Sequence, residues 1–499
     1  MSTRPFRFTP VSGPLSHVDA DWLIVPVMRG KHTDAQVAEL DVALGGDITR
    51  LVAQGDFTGK HAELLPLHRP EGVRAKRVLL VGAGDYQQVT RASWHAAVAT
   101  AVRTVTGRQW GKIAVAMPAD VPLGPETLVL AVTGGVAQGS AGPGVRKKEA
   151  VRFVPNEVAL VSGPASPALP PAAVARGTVE ADCVTFAREL VNLPPSEMFP
   201  ESFAARAGAC GKAVTCEIWD EARLITERMG AVLGVARGSV RPPRFVVLRY
   251  MNGGMSPTLA LVGKGVTFDS GGLSLKTNDQ MADMKCDMAG GAAVLAAMKA
   301  LAELKPEVNV VGYIPLVENM PGGRAMKLGD VLVARNGKTI EVLNTDAEGR
   351  LILADALAFA AEGKPGHIVD LATLTGACMV GLGTQIAGLM GNHPEWTERV
   401  RVAVARAGER AWPLPLDADF EDMIQSKVAD LKNSPGVRYG GAIAAGKFLE
   451  QFVDGVPWVH LDIAGPAWAD HDSPARDAGG TGAFVHTLIE LALTYRPQP

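Results

Sequence analysis

Short apolar runs that end in turn signals recur along the chain with helix-favouring stretches between them, and this alternation restricts the fold more than any other feature. In the first third, WLIVPV (22–27), RVLLVG (77–82) and KIAVAM (112–117) are strand candidates, and residues 93–107 favour helix. Further on, FVVLRY (245–250), TLALVG (258–263), VNVVGYI (308–314), HIVDLA (367–372) and WVHLDIA (458–464) repeat the pattern. Between them, residues 288–304 and 351–362 are rich in Ala, Leu and Met, which favours helix. Such alternation predicts an α/β fold with a largely parallel sheet. It is interrupted by SGPASPALPP (162–171), whose four prolines suit neither a helix nor a central strand. At 499 residues the chain is too long for one compact core. The reading is therefore an α/β domain over 1–161, a linker over 162–171, and a second α/β domain over 172–499 that opens with a helix near 172–191.

Composition narrows the function. The formal net charge of −3 argues against a general affinity for nucleic acid or acidic membranes, and the basic triplet Arg146-Lys147-Lys148 reads as a solvated loop. The N-terminal MSTRPFRFTPVSG has no apolar core of a signal peptide, and no apolar run approaches the ~20 residues that span a bilayer. Five cysteines without a CxxC pair speak against a disulfide framework or a structural zinc site and fit a reducing cytoplasm. Gly82-Ala83-Gly84 follows a strand, but Gln87 stands where a dinucleotide fingerprint needs its third glycine.

Two segments carry the chemistry: GKGVTFDSGGLSLKTNDQMADMKCDMAGGAAV (263–294) and NTDAEGRL (344–351). Their acids lie at element ends, where α/β sheets build ligand sites. Lys264 and Asp269 follow the strand TLALVG, Asp287 precedes a small-residue helix, and Asp346, Glu348 and Arg350 lie between TIEVL and a helix. If the stretch is extended, Asp346 and Glu348 point to one side. Arg350 would then stand at a helix N-terminus hospitable to a small anion. Converging carboxylates need positive charge between them, from lysines or from metal ions. Oxygen-rich sites suit divalent cations, and two ions ~3.5–4 Å apart are a common hydrolytic arrangement. Taken singly, each motif has a plainer reading. DAEG is ordinary turn and cap chemistry, GKG lacks the rest of a phosphate-binding loop, and isolated lysines are usually surface charges. There is no HExxH, so a metal site here has to rest on carboxylates.

Together, however, these segments closely resemble the leucyl aminopeptidase family, the cytosolic dizinc aminopeptidases. NTDAEGRL is that family's signature octapeptide, and GKGVTFDSGG and MKCDMAGGAAV resemble its metal-binding blocks. LVNLPPSEMFP (190–200), ENMPGG (318–323), DLATLTGAC (370–378) and HLDIAG (460–465) match as well. The resemblance covers nearly all of 180–490 and is weaker before the linker. It implies an N-terminal macro-like α/β domain and a C-terminal catalytic domain with a mixed, largely parallel sheet, assembled as a homohexamer around central catalytic domains. It implies two divalent ions per subunit, Zn²⁺ or Mn²⁺, with Mg²⁺ or Co²⁺ as further options, on Lys264, Asp269, Asp287, Asp346 and Glu348. Lys276 and Arg350 fall on the catalytic positions, and Met284, Thr373 and Gly376 on the pocket for the first substrate side chain. The implied reaction is release of N-terminal leucine and other apolar residues from peptides. A metal-bridging water attacks, Lys276 stabilises the oxyanion, and bicarbonate on Arg350 shuttles protons. Thr277, Gly291 and Leu328 depart from common family residues without removing a ligand. Three other readings stay in view: a metal-dependent phosphoesterase, a nucleic-acid-binding role of the kind known for some bacterial relatives, and a catalytically silent relative.

Overall fold

The computed structural model describes residues 5–30, 34–164, 166–437 and 439–496. The first four residues of the N-terminal stretch and Ala165 of the expected linker lie outside them. The chain forms two compact units, residues 1–185 with 470–478, and residues 186–469 with 479–499.

The first unit is built on six strands: β1 (Phe8–Ser12), β2 (Trp22–Arg29), β3 (Leu64–His68), β4 (Arg77–Asp85), β5 (Lys112–Met117) and β6 (Glu157–Ser162). They lie in the order β1-β6-β5-β2-β4-β3, parallel except for β3, which runs antiparallel on the edge. The central strands are buried on both faces, which is why they read as unbroken apolar runs. Ile24, Leu79, Val81, Ile113 and Val115 face one core, and Leu23, Val25, Leu80 and Ala114 the other. Gly82 lies inside β4, where a Cβ would fall 1.8 Å from the Lys60 carbonyl oxygen. Close backbone crossing accounts for that glycine without a phosphate. Residues 470–478 return to this unit through Asp477, which accepts from Arg103 Nε at 2.7 Å and Arg152 Nε at 3.0 Å.

The second unit carries β7 (Thr215–Trp219), β8 (Arg244–Met251), β9 (Leu259–Gly263), β10 (Gly265–Asp269), β11 (Asn309–Asn319), β12 (Val331–Val333), β13 (Thr339–Glu341), β14 (His367–Ala372), β15 (Ala387–Gly391), β16 (Ala411–Pro413), β17 (Leu431–Lys432) and β18 (Trp458–Asp462). Its main sheet has the order β16-β15-β18-β14-β9-β11-β8-β7, with β10 continuing beside β11. The β14, β18, β9, β10 and β11 pairings are parallel, whereas β7, β8 and the β15–β18 pair are antiparallel. The sheet is thus mixed and largely parallel. Ala260, Val262, Ile368 and Trp458 pack with Leu351, Ile352 and Leu357 of the helix Gly349–Glu362. The small sheet β12-β13-β17 leads the chain into NTDAEGRL.

One irregularity places the site. β9 and β10 both pair with β11, but Lys264 between them does not. Opposite the gap, β11 has Pro315, which lacks an N–H. Lys264 N–H turns instead to the Leu371 carbonyl on β14, at 3.1 Å, and its own carbonyl accepts from Gly291 N–H at 2.8 Å. That approach needs glycine, since a Cβ on Gly290 would lie 2.1 Å from the Leu371 oxygen.

Candidate active site

The carboxyl ends of the parallel strands bring the expected residues together. Lys264 leaves β9, Asp269 ends β10, and Thr373 follows β14. Asp287 lies in the 3₁₀ turn Met284–Met288, ahead of the helix Ala289–Leu304. The segment around Asp346 and Glu348 is a turn, not the extended stretch considered from spacing, and Glu348 already has helical backbone angles. The turn still makes the two acids converge. Carboxylate oxygens of Asp269, Asp346 and Glu348 all lie within 4.8 Å of one another. Arg350 is the second residue of the helix that follows.

Two lysines sit among these acids. Lys264 Nζ donates to Asp287 Oδ1 at 2.8 Å and to the Thr373 carbonyl oxygen at 2.9 Å, and is ion-paired with Glu348 Oε1 at 2.9 Å. Lys276 Nζ is 2.8 Å from Asp269 Oδ2 and also contacts Asp346. Burial alone would pull both ammonium groups down. Asp287, Glu348 and Asp269 around Lys264, and Asp269 and Asp346 around Lys276, outweigh it and hold both above the usual lysine range. The acids show the converse strain. Burial, reinforced by Asp269, pushes Glu348 up to about 8, and burial pushes Asp287 up to about 6 despite Lys264. Asp346 is raised for the same reasons, burial first and Asp269 second. Four carboxylates against two lysines leave excess negative charge in a desolvated place, and Asp287 Oδ2 is buried with no hydrogen-bond partner among the described residues. Divalent cations fit such a donor set.

Arg350 is buried, its Nε and Nη1 have no acceptor among the described residues, and burial lowers its guanidinium to about 10. It is a cation at a helix N-terminus whose charge Glu348 and Asp462 favour from a distance while Nε and Nη1 stay without an acceptor among the described residues, which suits a small anionic ligand.

Residues without an assigned role hold this arrangement. Asn319 Nδ2 donates to Asp269 Oδ1 at 2.8 Å and to the Thr345 carbonyl at 2.9 Å, and lies 3.5 Å from Glu348 Oε2. Thr345 Oγ1 donates to the Gly271 carbonyl at 2.6 Å and accepts from Ser274 N–H at 2.7 Å, joining the two acidic segments. Asp462, at the end of β18, accepts from the Thr375 hydroxyl at 2.7 Å and from Leu374 N–H at 3.3 Å, fixing the loop that carries Thr373 and Gly376. Asn319 lies within ENMPGG, and Asp462 within HLDIAG; their only sequence signal is a polar residue at the end of an apolar run. The acids, both lysines, Arg350, Met284, Thr373 and Gly376 line one cavity of about 650 Å³.

Acids and lysines at the carboxyl ends of a mixed α/β sheet, around a cavity of this size, are the arrangement of residues a hydrolase with divalent cations would need. The profile of the cytosol aminopeptidase family catalytic domain matches residues 185–489, and that of the family's N-terminal domain matches residues 24–140. A probable cytosol aminopeptidase of Rhodopirellula baltica is 45% identical over 91% of this chain and 88% of its own length. That of Solibacter usitatus is 44% identical over 97% and 98%. Among solved structures, a mutant of tomato leucine aminopeptidase superposes with a TM-score of 0.88 at 33% identity, covering 99% of both chains. The bottromycin maturation enzyme BotP in complex with Mn does so with 0.82 at 35%, covering 95% of this chain and 99% of its own. The chain belongs to the cytosol aminopeptidase family, and it is a metal-dependent aminopeptidase.

Proposed function

We propose that this enzyme releases leucine and other apolar residues from peptide N-termini, using two divalent ions per chain on Lys264, Asp269, Asp287, Asp346 and Glu348. The observation that carries the reading is the convergence of Asp269, Asp346 and Glu348 within 4.8 Å. Bound there, Zn²⁺ or Mn²⁺, or failing these Mg²⁺ or Co²⁺, would supply Lewis acidity and lower the pKa of water. The acids also attract the free α-amino group of a substrate, which makes the enzyme an exopeptidase. Water attacks the scissile carbonyl carbon, the C–N bond breaks, and the leaving amine takes up a proton. Lys276, set between Asp269 and Asp346, donates to the carbonyl oxygen as negative charge develops. Arg350 would hold bicarbonate, a donor and acceptor of protons at neutral pH. Met284, Thr373 and Gly376 receive the first side chain; a Cβ on Gly376 would meet no atom within 4 Å.

The names of the relatives support a cytoplasmic location, and the family resemblance supports a homohexamer; among the described residues no helix is long and apolar enough to cross a membrane. Arg146, Lys147 and Lys148 are exposed, as expected of a solvated loop. The test is turnover of leucine p-nitroanilide after chelation and reloading with single metals, beside an N-acetylated peptide. Activity should vanish on chelation, return with Mn²⁺, Zn²⁺ or Co²⁺, and be absent on the blocked substrate. Efficient internal cleavage of the blocked peptide would overturn the reading.

A further inference from the structure

Strand register brings a buried histidine under the start of the helix that carries Arg350. β14 and β18 are parallel neighbours, with Asp370 opposite His460. Alternate residues of a strand share a face. Ile368, Ala372 and Trp458 pack in one cluster with Leu351 and Ile352, the residues that follow Arg350. Asp370 and His460 therefore point toward that helix as well. Trp458, Asp370 and His460 are all fully buried. Asp370 Oδ2 accepts from Trp458 Nε1 at 2.6 Å, and His460 Nδ1 lies 2.6 Å from Asp370 Oδ1. A carboxylate only accepts, so Nδ1 carries a proton. Among the described residues, His460 Nε2 is buried without a hydrogen-bond partner, and so are Arg350 Nε and Nη1. Arg350 lines the active-site cavity, whereas His460 and Asp370 lie behind it. No step of the proposed reaction uses the pair.

We propose that His460, held by Asp370, is a positioning residue for Arg350: its Nε2 lone pair takes a guanidinium N–H, directly or across one bound water, and steers the remaining donors toward the anion in the cavity. The inference rests on the reading of Arg350 as an anion site. A neutral ring with its proton on Nδ1 has an acceptor at Nε2, and a guanidinium has only donors. A ring with two protons would instead set an unpaired N–H beside a cation in a buried place. The charges already act on one another. Burial resists a second proton on His460, Asp370 and Asp462 outweigh it and hold the ring above the usual histidine range, and Arg350 opposes them. Alkaline conditions favour the singly protonated ring. Glu348 and Asp462 are the acids that favour the charge of Arg350; Asp370 acts on it through His460.

Asp370→Asn supplies the test, because it keeps both hydrogen bonds and reverses the ring. The new amide oxygen accepts from Trp458, the amide nitrogen donates to Nδ1, and the imidazole proton moves to Nε2. Bicarbonate binding to the metal-loaded protein is measured by calorimetry at about pH 8.5 and constant ionic strength, with Arg350→Ala as background. Bound metal and the KM for leucine p-nitroanilide are measured beside it. In Asp370→Asn bicarbonate should bind on the order of tenfold more weakly, with bound metal and KM close to those of the parent. Unchanged or tighter binding overturns the proposal; tighter binding would make Asp370 a negative charge only. Loss of metal together with bicarbonate overturns it too, since the pair would then support the whole site. Should Asp370→Asn not fold, His460→Gln and His460→Asn decide. The glutamine side chain brings an amide oxygen near the place of Nε2, whereas asparagine retains only the bond to Asp370. His460→Gln should bind bicarbonate more tightly than His460→Asn, and equal or reversed affinities overturn the proposal. If Arg350→Ala binds bicarbonate as the parent does, the anion reading of Arg350 itself fails, and the proposal falls with it.

Discussion

The side chain of Lys264 passes directly over Gly349: a Cβ on that glycine would lie 2.6 Å from the lysine Nζ and 2.6 Å from its Cε. The glycine of NTDAEGRL therefore makes room for the amine contributed by GKG. What a methyl group would meet is the end of a side chain and not backbone, so the fold can absorb Gly349→Ala where the site cannot. That variant should keep its unfolding temperature within a few degrees and lose most activity, with less metal bound per chain. Full activity in a well-folded Gly349→Ala would show that the position of Lys264 is immaterial.

Lys264 now donates to Asp287 and the Thr373 carbonyl and is ion-paired with Glu348, as an ammonium would be. An ammonium has no lone pair, so ligation requires the proton to leave as a dication arrives. Lys264→Arg keeps the charge and offers no such nitrogen. It should bind one metal ion of the pair more weakly and lose most activity. Two ions held as tightly as in the parent, by calorimetry or metal analysis after dialysis, would make Lys264 an electrostatic partner only.

Lys276→Ala should lower kcat by on the order of 10²–10³ with a smaller effect on KM, the signature of a lost oxyanion donor. Arg350→Ala should also be slower, and added bicarbonate should help it less than it helps the parent. An unchanged kcat in Lys276→Ala would remove the lysine from the chemistry.

Asn319 touches no substrate in this reading, yet its amide holds Asp269 and lies beside Glu348. Partners of metal-ligating carboxylates are typically worth about 10–100-fold in metal affinity or activity. Asn319→Ala should weaken metal binding by that order, and excess metal should restore much of the lost rate. If saturating metal restores nothing, Asn319 acts on the fold.

His367 lies away from the site, 2.9 Å from the Tyr495 hydroxyl and against Trp396. Burial, with Arg399 and His393 adding, lowers it to about 4 from an ordinary 6.5. The unfolded chain thus binds the extra proton first. The stability due to neutral His367 is complete above about pH 6.5 and is lost as pH falls toward 4. His367→Gln should show a smaller drop in unfolding temperature between pH 7.5 and 5.0 than the parent. An equal drop would mean that His367 titrates normally.

Much of the fold is legible in the amino-acid sequence. β2, β4, β5, β8, β9, β11, β14 and β18 coincide with apolar runs, because strands covered on both faces must be apolar throughout. Edge strands such as β3, β7 and β16 are short and half-exposed, and carry no comparable pattern. The element ends that bear Lys264, Asp269, Asp287, Asp346, Glu348 and Arg350 were also readable, since each follows or precedes a recognisable run.

Apolar periodicity and motif content carry the two-block α/β plan, the residue types of the site and the family they resemble. Tertiary structure alone decided which atoms meet. Lys264 reaches the Thr373 carbonyl 109 residues away, and Asn319 reaches Asp269 across 50. The turn at Asp346, the clearance over Gly349, the return of residues 470–478 and the pairing of Asp370 with His460 belong to the same level. Local propensity and periodicity report on neighbours a few residues apart. Contacts at such separations exist only once the sheet order is set and its strand ends are brought side by side.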